Sequence, residues 1–310
     1  MLSSQILINI WLLLIYTDSC YCQDSLRKQY ARKVSSQRLK KSSRIGQSGR
    51  YSTNQDDMFF LGNQTYNEYE NYSYGPNGYP STWPAFCTKG KYQSPIDLRN
   101  AVVTRRKPFV TYVNYDVSGI VQILNDGHTI KLTGFRWADY GPYVMHNIDG
   151  RYKFYRLKQV QFHWGPKDLL GSEHTFAGFH MPLEIQFVHE RVRTPKGPVI
   201  KNDILIVAVL GTTIVERNSR ISTFGGITAA LPLLVEPGSA VVRRLGSLMD
   251  MIPDDTHSFY YYHGSRTVPN CEENVSWLVL DNAIYVSRAE ACHSLLLLTL
   301  NWLLNLSLSS

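Results

Sequence analysis

The sequence lacks any apolar stretch long enough to cross a bilayer near its start. Residues 6–16 form a largely apolar run of eleven residues, against the ~20 that a spanning helix needs. Small residues at Cys20 and Cys22 follow, and then the chain turns polar. This layout excludes a membrane span there and predicts a secretory signal peptide over residues 1–22. Acidic residues are missing altogether from "LRKQYARKVSSQRLKKSSRIGQSGR", residues 26–50, whose nine Lys and Arg exceed the formal net charge of +7 of the whole chain. Few apolar side chains within a like-charge block exclude a packed core, so residues 23–50 read as a basic disordered arm. Cysteine is scarce: of five, Cys87, Cys271 and Cys292 remain once the leader is removed. In an oxidising compartment that leaves one pair and one remainder.

What is present agrees with secretion. Asn63, Asn71 and Asn274 each open an N-x-Ser/Thr sequon. Behind a leader, the natural acidic partner of the arm is a sulfated glycosaminoglycan or an anionic surface, and nucleic acid is excluded by compartment. A solubilising or cleaved pro-segment is the other use of the same charge. Residues 51–73 interleave tyrosines with acids, as a linker does and as sites of tyrosine sulfation do.

From residue 84 onward, short β-rich runs alternate with Gly, Asn, Asp and Pro, as in "FVTYVNYDVSGIVQILNDGHTIKLTGF" and "KNDILIVAVLGTT". That pattern predicts a large, mainly antiparallel sheet. There is no internal repeat, and helical periodicity is limited to "GGITAALPLLV" (225–235) and "SAVVRRLGSLMDM" (239–251). Within "QVQFHWG", residues 159–165, strand geometry puts every second side chain on one face. The row reads Gln159, Gln161, His163.

Five stretches together resemble the α-carbonic anhydrase family: "YGPNGYPSTWP" (74–84), "QSPIDL" (93–98), "QFHWG" (161–165), "GSEHT" (171–175) and "GSRTVPNCEENVSWLVL" (264–280). The resemblance runs over residues 74–293. It implies a mainly β (α+β) fold: a single domain on a twisted, largely antiparallel central sheet with short peripheral helices. It also implies a disulfide between Cys87 and Cys271, with Cys292 left over. Active members hold zinc with three histidines on two adjacent strands and keep an open position for water, whose pKa falls to ~7. The resemblance places those ligand positions at Gln161, His163 and Gln186, so one imidazole is left. Carboxamide oxygens are poor donors for zinc. Of the other histidines, His174 and His189 match no ligand position. His180 shares strand parity with Gln186, but lies six residues away, far beyond a coordination shell.

By the same resemblance, His128 stands at the proton-shuttle position, and Glu173 and Thr267 at the pair that orients a zinc-bound hydroxide. Gln159 and Glu184 stand where groups orient the ligand histidines. Val188, Val207 and Trp277 stand at the walls of the carbon dioxide pocket. Arg266 departs from the usual leucine and makes that pocket less apolar. The whole resembles the zinc-free carbonic anhydrase-related proteins. The implied function is an extracellular binding module, secreted or surface-held, with no cofactor and a protein or glycosaminoglycan partner. The alternative is a residual carbonate dehydratase with altered zinc ligation. Residues 294–310 form an apolar tail, read either as continuation of a family helix over 289–298 or as the cleaved signal of a lipid anchor.

Overall fold

The computed structural model describes Tyr72 and residues 83–104, 108–135, 137, 141–165, 170–192, 203–214 and 224–287. All belong to one compact unit, Asp57–Trp302. The leader, the basic arm, Asn63, Asn71, Cys292 and the apolar tail lie outside the described residues.

The strands are β1 (Val110–Val113), β2 (Gly119–Asn125), β3 (Ile130–Thr133), β4 (Tyr143–His146), β5 (Lys153–Trp164), β6 (Thr175–Phe176) and β7 (Phe179–His180). They continue with β8 (Leu183–Arg191), β9 (Ile204–Ile214), β10 (Ala240–Leu245), β11 (Phe259–Gly264), β12 (Val275–Leu280) and β13 (Ile284–Ser287). Eleven of them form one sheet, ordered β10-β2-β3-β5-β8-β9-β12-β11, with β4 and β1 continuing beside the first half of β5 and β13 beside β9. Most pairs are antiparallel; β9 pairs in parallel with β12 and β13. Short helices, α1 (Phe86–Lys89) and α2 (Gly225–Thr228), sit outside the sheet.

Sequence periodicity misleads at one place. Residues 239–251, read above as helical, form β10 and a 3-10 turn over Leu248–Met251. The β-branched pair Val241 and Val242 favours a strand, and β10 pairs with β2 along its whole length. The other candidate yields only α2 and a 3-10 turn, Leu231–Leu233, because Pro232 cannot continue a helix.

A single extra residue in β5 decides which side chains face the site. Leu157 pairs with His189, but Gln159 pairs with Val188, so Lys158 is a β-bulge. Before it, Tyr155 and Leu157 point into the larger core; after it, Val160 and Phe162 do. Parity has flipped, and Gln159, Gln161 and His163 are turned to the opposite face. There a smaller core packs around Leu98, Ile206, Ala208, Val275, Trp277 and Val279.

Candidate functional site

Cross-strand register assembles the site in rows. Gln161 on β5 lies opposite Gln186 on β8, which lies opposite Ala208 on β9. One row along, His163 faces Glu184 and Glu184 faces Leu210; on the other side, Gln159 faces Val188 and Val188 faces Ile206. Ile206 in turn pairs with Trp277 on β12. The positions expected to act together therefore share one face, with one exception. Val207 lies opposite Phe187 and Leu278 in the larger core, on the far side of the sheet from Val188 and Trp277. Ile206 occupies the place in the wall that was assigned to Val207. Both faces of β9 are apolar, so its sequence carries no mark of which face is which.

The "GSEHT" loop is pressed onto β8 by its first residue. A side chain at Gly171 would meet the Pro182 carbonyl oxygen at 1.8 Å, so only glycine fits. The backbone N–H groups of Gly171 and Ser172 donate to the Met181 carbonyl at 3.1 and 2.7 Å. This close approach brings Glu173 and His174 over the row of Gln186 and Glu184.

Gln186, 1% exposed, is where the chemistry of the site is set. Its Nε2 donates to Glu173 Oε2 at 2.7 Å and to Glu184 Oε1 at 3.0 Å. A carboxylate pair can be bridged only by the amide nitrogen, so the NH2 group faces both acids. His163 Nδ1 lies 3.4 Å from Glu173 Oε1, while His163 Nε2 is buried without a hydrogen-bond partner. Glu173 is thus engaged by Gln186 and His163; among the described residues no hydrogen bond joins it to Thr267.

Behind Gln186 stands a fully buried ion pair. His174 Nδ1 donates to Glu184 Oε1 at 2.8 Å, and His174 backbone N–H donates to Glu184 Oε2 at 2.8 Å. Burial opposes charge on both, yet the facing charges and hydrogen bonds prevail: the pKa of His174 is raised and that of Glu184 lowered. Tyr262 donates its O–H to Ser94 Oγ at 3.0 Å, so its oxygen accepts from His174 Nε2 at 2.7 Å. Both ring nitrogens then donate, as in an imidazolium. Ser94 and Tyr262 were not singled out from the sequence, although Ser94 lies within the "QSPIDL" stretch. Ser94 Oγ also accepts from the backbone N–H of Ser265, tying the network to the loop that carries Arg266 and Thr267.

That loop is fixed at its base by the Cys87–Cys271 disulfide. Arg266 and Thr267 are partly buried, and the Arg266 backbone N–H donates to the Glu272 carbonyl at 3.0 Å. Asn274 is partly buried; its Nδ2 donates to Glu272 Oε2 at 3.3 Å and its Oδ1 is buried. His128 sits in a turn held by Asp126, which accepts from the backbone N–H of His128 at 2.9 Å and of Thr129 at 2.7 Å. Its ring stacks on Tyr72, with centroids 3.8 Å apart.

The remaining histidines are placed away from the row. His180 belongs to the separate β6–β7 hairpin, not to the strand of Gln186, and its Nδ1 donates to the Ser172 carbonyl at 2.6 Å. His189 faces the larger core, where it donates to the Leu205 carbonyl at 3.1 Å and meets the Tyr115 hydroxyl. Among the described residues, no three His, Cys, Asp or Glu side chains are grouped so as to hold a metal ion.

The family model for eukaryotic-type carbonic anhydrases matches residues 75–299. Among curated relatives, the putative carbonic anhydrase 5 of Caenorhabditis elegans is 33% identical over 223 residues, covering 70% of either chain. Carbonic anhydrase 6 of Mus musculus is 30% identical over 246 residues, covering 75% of this chain and 74% of its own. Carbonic anhydrase 4 of the same species is 31% identical over 215 residues, covering 67% of this chain and 66% of its own. Five motifs in family order, one strand row facing the next, and a match over most of the chain agree: the chain belongs to the eukaryotic-type carbonic anhydrase family.

Proposed function

We propose that this chain is an extracellular member of the family in which a hydrogen-bonded network has replaced the zinc site, leaving a binding module without hydratase activity. The observation that carries the reading is Gln186, whose NH2 group is spent on Glu173 and Glu184. With the nitrogen turned to the two acids, the one donor the side chain could offer an ion is its carbonyl oxygen, a neutral and weak ligand for zinc. Gln161, opposite it, is a second neutral carboxamide. One imidazole, His163, does not make a zinc site, and these residues do not fit the ion. The Cys87–Cys271 disulfide supports an oxidising compartment. No helix among the described residues is long and apolar enough to cross a membrane. The partner is an extracellular protein or a sulfated glycosaminoglycan, the latter held by the nine cations of residues 26–50.

One observation favours a residual carbonate dehydratase: His163 Nε2 is buried without a partner, as a nitrogen reserved for a metal would be. Metal content and carbon dioxide hydration, measured on protein purified from zinc-supplemented medium without chelator, separate the two. Zinc far below one per chain and no turnover support the network reading. One zinc per chain with turnover, lost in His163→Ala, overturns it.

A further inference from the structure

One polar side chain on the site face has no bond within the fold. Gln161 is 8% exposed, yet among the described residues neither its amide nitrogen nor its amide oxygen enters a hydrogen bond. Buried amides are as a rule bonded, so this one is free to take up a group from outside. Its two atoms are also within reach. Unlike His163 Nε2, which is sealed off without a partner, both keep contact with solvent.

The charges around Gln161 are already held. Across the ladder on one side stands Lys131 of β3, turned away from the larger core that Ile130 and Leu132 enter, and its Nζ lies 2.6 Å from Asp126 Oδ2. Across on the other side stands Gln186, whose Nε2 is engaged by Glu173 and Glu184 while its Oε1 accepts no hydrogen bond and keeps contact with solvent. Glu184 in turn faces His174. Val188 and Ile206 continue the same face as an apolar wall. An incoming ion would give up its water here without gaining a free counter-charge, whereas a neutral molecule pays no such penalty.

We propose that Gln161 anchors a small neutral molecule bearing a primary carboxamide on an apolar body. One primary amide is the complement of another: the ligand C=O accepts from Gln161 Nε2 while one ligand N–H donates to Gln161 Oε1, in two parallel bonds. The second N–H is directed to Gln186 Oε1, because Gln161 and Gln186 lie directly opposite each other, about 5 Å apart at Cα. Val188 and Ile206 take the apolar body. A carboxylate lacks the donors for this arrangement, and an ammonium lacks the acceptor. The inference deepens the binding-module reading and rests on it, since a zinc ion beside Gln161 would take up its oxygen.

Calorimetric titration of the full chain with benzamide, benzoate and benzylamine, similar in size and different in charge, tests it, with zinc measured on the same sample. One benzamide per chain is expected, bound at least about tenfold more tightly than either ion. Gln161→Leu removes both amide atoms and breaks no hydrogen bond among the described residues, and should weaken benzamide about tenfold or more. Gln161→Glu should instead move the preference to benzylamine, a reversal that a merely structural residue would not produce. Benzoate or benzylamine bound by the wild type as tightly as benzamide, no saturable benzamide binding up to its solubility limit, or undiminished binding to folded Gln161→Leu overturns the proposal. Should Gln161→Leu fail to fold, the ranking of the three probes by the wild type decides. Zinc near one per chain overturns the zinc-free reading itself, whereas a zinc-free sample that ignores benzamide overturns this inference alone.

Discussion

Gln186 Nε2 stands 2.7 Å from Glu173 Oε2 and 3.0 Å from Glu184 Oε1, so a single amide nitrogen separates two carboxylates inside the fold. Removing it leaves like charges facing each other in a site shielded from water. Gln186→Ala should lower the unfolding free energy by about 1.5–3 kcal/mol, the range for hydrogen bonds to charged groups. Gln186→Glu should cost more at pH 7, because it adds a third acid, and should recover toward the alanine variant as the pH is lowered. Urea denaturation of both variants at two pH values checks the order.

Because Gln161 and Gln186 lie directly opposite each other, restoring imidazoles at both positions puts three histidines on adjacent strands. Gln161→His with Gln186→His should bind about one zinc per chain, while each single variant should stay well below that. Metal analysis after dialysis against trace zinc reads the outcome. Turnover in the double variant should remain low, since Arg266 stands where the family resemblance expects a pocket leucine, and a cation at that position opposes a metal ion.

Acid should destabilise the fold before the carboxylates are reached. Burial lowers the pKa of His146 from 6.5 to about 4, and burial likewise lowers that of His189 to about 4. Between those values the unfolded chain binds protons that the folded chain refuses, so stability is complete above pH 6.5 and falls toward pH 4. Each histidine contributes up to about 3 kcal/mol to that loss. The pair Glu184 and His174 acts outside that window: the acid's contribution is lost as the pH falls from 4.5 through its lowered value, and the imidazole's as the pH rises from 6.5 through its raised value. Chemical denaturation from pH 7 to pH 4 should show the stability falling steadily, and a flat profile would contradict the buried neutral histidines.

Reduction of Cys87–Cys271 should be costly. The bond closes a loop with a sequence separation of 184, for which chain-entropy reasoning gives about 5 kcal/mol. The denaturation midpoint with and without reductant measures it.

The site could be read in the sequence where side-chain parity and a motif coincide. The row Gln159, Gln161 and His163 follows from strand geometry alone, and resemblance then put Gln186 across from it. Parity failed at Val207, because "ILIVAVL" is apolar on both faces and offers no alternation. It failed again over Ala240–Leu245, where apolar residues at helical spacing also suit a strand that has β2 to lie against. Ser94 and Tyr262 went unnoticed since their role depends on contacts between segments more than 160 residues apart, which no local pattern encodes. The bulge at Lys158 is equally silent, although it decides the direction of everything after it.

That bulge has an evolutionary meaning. Past Lys158, the residues of β5 that build the larger core and those that build the site alternate, so neither set constrains the other. Two imidazoles can become carboxamides while Val160 and Phe162 keep their places among the same neighbours. A chain arranged in this way can change its trade without changing its shape.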